Sequence, residues 1–212
     1  LRQSGKMTLP KLGIDLEPSD TSSIEVLSKE DITELYKMTH VNADNPRLAP
    51  LIARDKAILT IFYGCGLRRN EGYHLNVTDI NFDRRIVHVR KGKGYKERFV
   101  PFSKQSSQYL QEYVYDARPL LLKGISDAFF ISQRGKRMQG QSMSLRLKIL
   151  QMRSNDIYLQ QKNVRLHVLR HSIATHLLQN GMPLESISKF LGHSSLESTQ
   201  VYTHLVESLD KQ

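Results

Sequence analysis

Apolar residues recur at helical spacing over most of this chain. A helix is predicted to begin at Ser28, because Ser28 to Asp31 approaches a capping box and apolar residues follow at helical spacing. A second helix is predicted over about 48–63, and a short one over about 68–75 after two glycines. The core-facing side of the second helix is expected to carry Leu51, Ile52, Ile58, Leu59 and Phe62.

The middle of the chain changes to short segments separated by turn residues. Residues 77–81, 86–90 and 98–101, with turns at Asp83-Arg84 and Gly92-Lys93-Gly94, predict a small antiparallel meander. Pro183 suits a first helical position, and Gly181 and Gly192 suit positions just past helix ends. Further helices are predicted over about 104–116, 141–153, 166–180, 183–191 and 195–205. The pattern indicates an α+β fold that is mainly α-helical, with a small three-stranded antiparallel sheet.

The first 27 residues lack this periodicity. They contain scattered Gly and Pro and a Ser/Thr run, which predict an extended arm or linker over 1–27. The remaining residues, 28–212, are enough for one globular domain with a full-sized core.

The chain is strongly basic, with 31 Lys and Arg against 21 Asp and Glu and a formal net charge of +10. A polyanion is the expected partner, and nucleic acid is favoured over a membrane because the basic residues are scattered among folded segments. The single cysteine, Cys65, excludes an intrachain disulfide and is expected to be buried. Neither a membrane-spanning run nor a signal-peptide pattern is present, so a cytoplasmic protein is expected.

Polar groups that suit phosphate chemistry are concentrated near the C-terminus. His167 and Arg170 lie three residues apart and are therefore expected to project together from one outward face at the start of a predicted helix. The free N–H groups of that helix start also suit a phosphate. His193 precedes the last predicted helix and Tyr202 lies about two turns inside it, so both are expected to face one cavity. A solvated helix face and a packing tyrosine are the alternatives.

A phenol is a poor nucleophile at neutral pH, because its pKa is about 10, and it needs cations or a base nearby. Guanidinium groups suit the charge that builds on a phosphodiester under attack, and Arg68 and Arg170 fit that role. A lysine on the glycine turn, Lys93 with Lys91 and Lys96 as competitors, fits a general acid for the departing oxygen. The alternative for this turn is a solvated hairpin tip that at most touches DNA phosphates.

Four stretches carry a resemblance to a known family. They are GCGLRRNE at 64–71, RKGKGYKERFVPF at 90–102, HVLRHSIATHLLQNG at 167–181 and LGHSSLESTQVYTH at 191–204. In this order they resemble the tyrosine recombinases, or phage integrases, and most closely the bacterial Xer type. The resemblance covers most of residues 28–205 and implies the catalytic fold of that family.

The resemblance also implies roles for individual residues. Arg68 and Arg170 would bind the phosphate, and Lys93 would be the general acid. His167 would assist proton transfer to or from the tyrosine, and His193 would bond the phosphate. Tyr202 would attack it, giving a 3′-phosphotyrosyl link that a second DNA end reseals without ATP, metal or another cofactor.

Two positions that follow Arg68 are compared with the same positions in the family. Glu71 matches the acidic position that supports this arginine in the family. Gly72 departs from the family, which usually has Leu there, and this bears on local packing.

The family implies partners as well. Double-stranded DNA carrying a recombination site is the expected substrate, bound by a homo-oligomer, a tetramer, with accessory DNA-bending proteins as possible partners. Integration, excision, inversion and dimer resolution remain open as outcomes. Intact members carry a helical N-terminal DNA-binding domain, so with a start at Leu1 residues 1–27 are expected to include the linker from a missing domain.

Three alternative functions compete with recombination. A type IB topoisomerase uses the same phosphotyrosyl step to relax DNA, and the Xer-like motifs argue against it. A non-catalytic DNA-binding regulator would satisfy the charge but predicts gaps among the catalytic residues. A metal site at His167, His171 and His176 lacks an evident acidic or Cys ligand.

Overall fold

The described part of this protein is mainly helical and contains a small three-stranded sheet. The structure, a computed structural model, describes residues 25–40, 45–90, 97–193, 198–200 and 202–203. Its α-helices are α1 (Lys29–Thr39), α2 (Ala49–Leu59), α3 (Arg69–His74), α4 (Lys104–Gln111), α5 (Arg118–Leu121), α6 (Gly140–Arg153), α7 (Ile157–Gln161), α8 (Leu166–Gln179) and α9 (Leu184–Leu191). Its strands are β1 (Ile80–Asn81), β2 (Ile86–Val89) and β3 (Arg98–Pro101). The α+β class, mainly helical with three antiparallel strands, is confirmed.

The start of α1 confirms the predicted capping box. The Ser28 hydroxyl accepts from the Asp31 backbone N–H at 3.1 Å, and the Ser28 N–H donates to the Asp31 carboxylate at 2.7 Å. Just before it, the backbone N–H of buried Leu27 donates to the Ser172 hydroxyl in α8 at 2.9 Å. This bond ties the beginning of the described chain to the helix that carries His167 and Arg170.

Helix α2 runs through the centre of the domain and continues as a π-helical segment, Thr60–Gly64. Its predicted core side is confirmed, although Leu51 is only half-buried. The opposite side is buried too, because neighbouring segments satisfy its charges: Arg54 donates to the Ile131 carbonyl at 3.1 Å, and Asp55 pairs with Arg146 at 2.5 Å. Cys65, at the end of the π-helical segment, is fully buried as expected.

The sheet has the predicted antiparallel order β1-β2-β3. Val87 lies between Ile80 and Val100 across the ladder. The first predicted strand, 77–81, was too long, because Val77–Asp79 forms a 3₁₀ turn. The Asp79 carboxylate accepts from the Asn76 N–H at 2.8 Å and closes that turn.

The remaining differences from the predicted helices have local causes. The helix predicted over 104–116 continues through a π-helical segment, Glu112–Ala117, into α5. Helix α7 was not predicted, because its five residues include a single buried one, Leu159, and show no periodicity.

Pro183 is the N-cap of α9, one position before the first helical position at which it was predicted. Gly181 and Gly192 have φ of 82° and 67°, which confirms their positions past helix ends. Of the last predicted helix, the described residues 198–200 and 202–203 are helical.

None of the helices in the described ranges combines the length and the apolar character that crossing a bilayer requires.

Gly72, which departs from the resembled family, lies against an aromatic ring. A Cβ atom at this position would stand 2.4 Å from Cζ of Phe62, far inside van der Waals contact. The ring of Phe62 is fully buried and stacks near Phe130, so it has little room to move. The large ring therefore occupies the space that a side chain at position 72 would need.

Gly72→Ala is accordingly expected to destabilise the protein by about 1–3 kcal/mol through overpacking, measured from the urea unfolding midpoint. Phe62→Leu added to this variant should recover part of the loss. Gly64→Ala is the matched control, since its Cβ would meet only ordinary contacts at 3.4 Å from Ser106 Oγ. An unchanged midpoint for Gly72→Ala would show that the ring moves aside freely.

Candidate active site

Arg170 projects from α8 into the interior, where it is 5% exposed. Its guanidinium donates to the Gly66 carbonyl at 2.5 Å and to the Leu191 carbonyl at 2.8 Å. Gly66, with φ of 60°, turns the backbone between the π-helical end of α2 and α3 so that this carbonyl is available. Burial, followed by the charge of Arg68, lowers the pKa of Arg170 to about 10, so its cation persists at neutral pH.

Arg68 stands at the N-terminus of α3, on the same side as Arg170. Its guanidinium donates to Glu71 at 3.1 Å and to the Gly192 carbonyl at 3.2 Å. The Arg68 side chain is 26% exposed, so its charge is accessible at the surface, whereas the charge of Arg170 is buried. The two guanidinium groups predicted to share a phosphate are therefore brought to one place.

Glu71 is the buried anion that holds the cationic cluster together. It receives two bonds from Arg98, at 2.8 and 2.9 Å, besides the bonds from Arg68, and lies 4.0 Å from Arg170. Burial opposes the charged carboxylate, but the bonds and charge of Arg98 outweigh it and hold the pKa of Glu71 below its ordinary value. Glu71 is therefore ionised at neutral pH and supports three arginines.

Arg98 was not predicted as part of the site. It lies on the inward side of β3 together with Val100, and strand alternation was the signal that would have found it. A Cβ atom at Gly192 would stand 2.8 Å from its side chain, so the close approach requires glycine there. Arg98 also donates to the Phe190 carbonyl at 3.0 Å.

Three consecutive carbonyls at the end of α9 therefore accept from three arginines: Phe190 from Arg98, Leu191 from Arg170, and Gly192 from Arg68. These bonds fix the backbone immediately before His193.

His193 and Tyr202 lie together, as predicted. Their rings stack with centroids 6.3 Å apart and an interplanar angle of 14°. Nδ1 of His193 lies 2.8 Å from the Thr199 hydroxyl. Burial, followed by the charges of Arg170 and Arg68, lowers the pKa of His193 to about 4, so the imidazole is neutral at neutral pH.

Tyr202 is 2% exposed, with its hydroxyl 2.8 Å from Nδ1 of His171. Burial raises the pKa of Tyr202, and the charges of Arg170 and Arg68 act in the opposite direction. Its partner His171 was considered from sequence only as a metal ligand. Within the described ranges, no group of three or more His, Cys, Asp or Glu side chains is placed to hold a metal ion.

His167 is exposed, and the prediction that it shares an outward face with Arg170 is wrong. The reason is that Arg170 turns inward to the Gly66 and Leu191 carbonyls. The ring of His167 stands edge-on to His171, with centroids 6.0 Å apart. Lys93, the predicted general acid, lies outside the described residues, as do Lys91 and Lys96.

Comparison with known proteins points to one family. The profile of the phage integrase family matches residues 25–208. The tyrosine recombinase XerD of Oceanobacillus iheyensis is 35% identical over 201 residues, covering 94% of this chain and 64% of the relative. The tyrosine recombinase XerC of Mannheimia succiniciproducens is 40% identical over 196 residues, covering 92% of this chain and 62% of the relative.

Solved structures show the same fold. The XerA recombinase superposes with a TM-score of 0.73 at 29% identity, covering 89% of this chain and 64% of XerA. The Tn1549 transposon integrase superposes with a TM-score of 0.72 at 19% identity, covering 92% and 68%. This chain spans less than two thirds of the length of the curated relatives named above. The match of this profile over nearly all of the chain shows that it belongs to the phage integrase family, and the named relatives to which it is similar are Xer recombinases.

Proposed function

We propose that this protein is a site-specific DNA recombinase that cleaves and rejoins strands through a 3′-phosphotyrosyl intermediate. The observation that carries the proposal is the convergence of Tyr202, His193, Arg68 and Arg170 from distant parts of the chain. A nucleophile therefore stands beside two guanidinium groups suited to a phosphodiester. The identity to named Xer recombinases supports the same activity.

Each group has a physical role in the attack. Arg68 and Arg170 stabilise the charge that builds on the non-bridging oxygens as the Tyr202 oxygen bonds to phosphorus. In the tautomer of neutral His193 with the proton on Nε2, Nδ1 accepts from the Thr199 hydroxyl and Nε2 donates to a phosphate oxygen. The P–O5′ bond breaks, and Lys93 is proposed to protonate the departing oxygen. The phosphotyrosyl ester keeps the energy of the broken bond, so a 5′-hydroxyl reseals the strand without a cofactor.

Double-stranded DNA is the proposed substrate. The net charge of +10 favours a polyanion, and homologous folds carry DNA: XerH is bound to a difH substrate and Tn1549 integrase is in complex with transposon DNA. A homo-oligomer, a tetramer, is proposed on that DNA, with accessory DNA-bending proteins. Within this chain, residues 28–212 are the proposed catalytic domain and residues 1–27 the proposed linker from an N-terminal DNA-binding domain.

The test is covalent capture. Nicked duplexes of random sequence are incubated with the protein, so that cleavage beside the nick releases a short strand and prevents resealing. Denaturing electrophoresis should show a protein–DNA adduct, and sequencing the attached DNA should return one recurrent site. Adducts without sequence preference, together with relaxation of supercoiled DNA, would favour a topoisomerase, and the absence of any adduct would favour a non-catalytic regulator.

Lys93→Ala is expected to reduce cleavage of ordinary DNA by about 100-fold or more, because the 5′-oxygen leaves without a proton. Cleavage should return on DNA with a 5′-bridging phosphorothiolate, because a thiolate leaves unprotonated. The rate of adduct formation on both substrates is the measurement, with Lys91→Ala and Lys96→Ala as comparisons. Recovery in one of these two instead would move the general acid to that lysine.

A further inference from the structure

Tyr202 and His171 form a hydrogen-bonded pair. The phenolic oxygen that is proposed to attack phosphorus therefore already has a hydrogen-bond partner. The distance between the Tyr202 hydroxyl and Nδ1 of His171 is 2.8 Å, and the ring centroids are 5.7 Å apart. His171 follows Arg170 in α8, so the same helix supplies a phosphate-binding cation and a contact to the nucleophile.

The protonation states of His171 and Tyr202 allow the phenol to donate in this hydrogen bond. Burial, followed by the charges of His167 and Arg170, lowers the pKa of His171 to about 4, so the imidazole is neutral at neutral pH. Burial raises the pKa of Tyr202, so the phenol keeps its proton. A neutral imidazole has one accepting nitrogen, and in the tautomer with the proton on Nε2 it is Nδ1 that accepts from the Tyr202 hydroxyl.

His167, to which the resemblance assigns help with proton transfer, is exposed near the start of α8. Its ring contacts the ring of His171, and the ring of His171 contacts that of Tyr202. The side chain in hydrogen-bond contact with the nucleophilic oxygen is thus His171, one turn further along the helix.

We propose that His171 is a further catalytic residue, which takes the hydroxyl proton of Tyr202 as the phenolic oxygen bonds to phosphorus; this role rests on the proposed function. The O–H bond breaks, the N–H bond at Nδ1 and the O–P bond form, and the P–O5′ bond breaks. The 5′-oxygen takes its proton from a separate ammonium group. On resealing, both protons return.

A weakly basic imidazole suffices because transfer is coupled to attack. The phenolic oxygen becomes strongly acidic as it bonds to phosphorus, so the proton leaves during the step and not before it. The charged groups facing His171 are Arg170 on its own helix and Arg68 near Tyr202, and its titratable neighbours are His167 and His193. The two arginines oppose early protonation of His171, and the anionic phosphodiester offsets them once DNA is bound.

Two substitutions separate proton transfer from positioning. His171→Ala removes the acceptor, whereas His171→Asn keeps an acceptor oxygen near the position of Nδ1 but takes no proton. Both are expected to slow adduct formation on the duplex captured by wild type by about 100-fold or more. Because solvent hydroxide must then remove the proton, the ratio of variant to wild-type rate should rise with pH.

His176→Asn is the matched control. His176 lies on the same helix, is buried, and has Nδ1 2.9 Å from the Tyr63 hydroxyl, so this variant loses a similar His–Tyr pair away from the site. It should form the adduct at the wild-type rate.

Three results would overturn the proposal. His171→Asn reacting within about threefold of wild type would reduce His171 to a positioning residue, as would a rate ratio that is independent of pH. Faster cleavage by His171→Ala would show that the pair restrains Tyr202. If wild type forms no adduct, the proposed function fails and this role fails with it, whereas an active wild type with active variants overturns the role of His171 alone.

Discussion

Tyr202→Phe is expected to bind the captured DNA with nearly wild-type affinity and to form no covalent adduct. The substitution removes one oxygen, which is the atom proposed to attack phosphorus, and keeps the ring that stacks on His193. The loss of the bond to His171 should cost about 1 kcal/mol of stability, which leaves the protein folded. Electrophoresis under native and denaturing conditions measures binding and adduct separately.

Tyr63→Phe provides the control for this prediction. It too loses a hydroxyl paired with a histidine of α8, His176, so it matches the structural change without touching the site. This variant should form the adduct as wild type does. An adduct from Tyr202→Phe would assign the nucleophile to another residue.

Glu71→Gln is expected to produce the largest loss of stability among these variants, about 3 kcal/mol, because it leaves buried arginine charge without its anion. Arg98 and Arg170 are both buried, and Glu71 lies within 4.0 Å of each. The variant should also form the adduct more slowly, since Arg68 loses its ionic partner. Urea unfolding measures the first effect and adduct formation the second.

The pH dependence has a definite sign. Because the folded protein holds the pKa of Glu71 below its ordinary value of about 4.3, its contribution is complete above that value and is lost as pH falls through the lower folded pKa. Glu71→Gln should therefore remove part of the acid sensitivity of unfolding. Glu112→Gln, which breaks a half-exposed pair with Lys56, should change stability by less than about 1 kcal/mol. Equal losses in the two variants would contradict the central role of Glu71.

Much of the fold could be predicted because its signals are local. The capping box at Ser28, the glycines after α8 and α9, and the alternation of the meander each depend on a few neighbouring residues. Burial on all sides of α2 could not be predicted, because the partners of Arg54 and Asp55 lie 77 and 91 residues away. The five-residue α7 is too short to show a period.

The candidate site, like the fold, was predicted in part. The order of the motifs identified Arg68, Arg170, His193 and Tyr202 as site residues, and the structure brings all four together. Arg98 was missed because its role depends on the inward side of a strand, and His171 because its partner is 31 residues away. His167 and Arg170 were placed on one face by spacing alone, whereas tertiary hydrogen bonds turned the arginine inward.

The contacts between the arginines and the backbone at 190–192 join parts of the chain that are synthesised far apart in time. Arg68 meets the Gly192 carbonyl across 124 residues, and Arg98 meets the Phe190 carbonyl across 92. Contacts at such separations form late, and these require α9 to have left the ribosome. A nascent chain that ends after α6 therefore contains Arg68 and Arg98 but neither Arg170 nor the carbonyls at 190–192. The proposed strand cleavage therefore depends on residues that are synthesised after α9, Tyr202 among them.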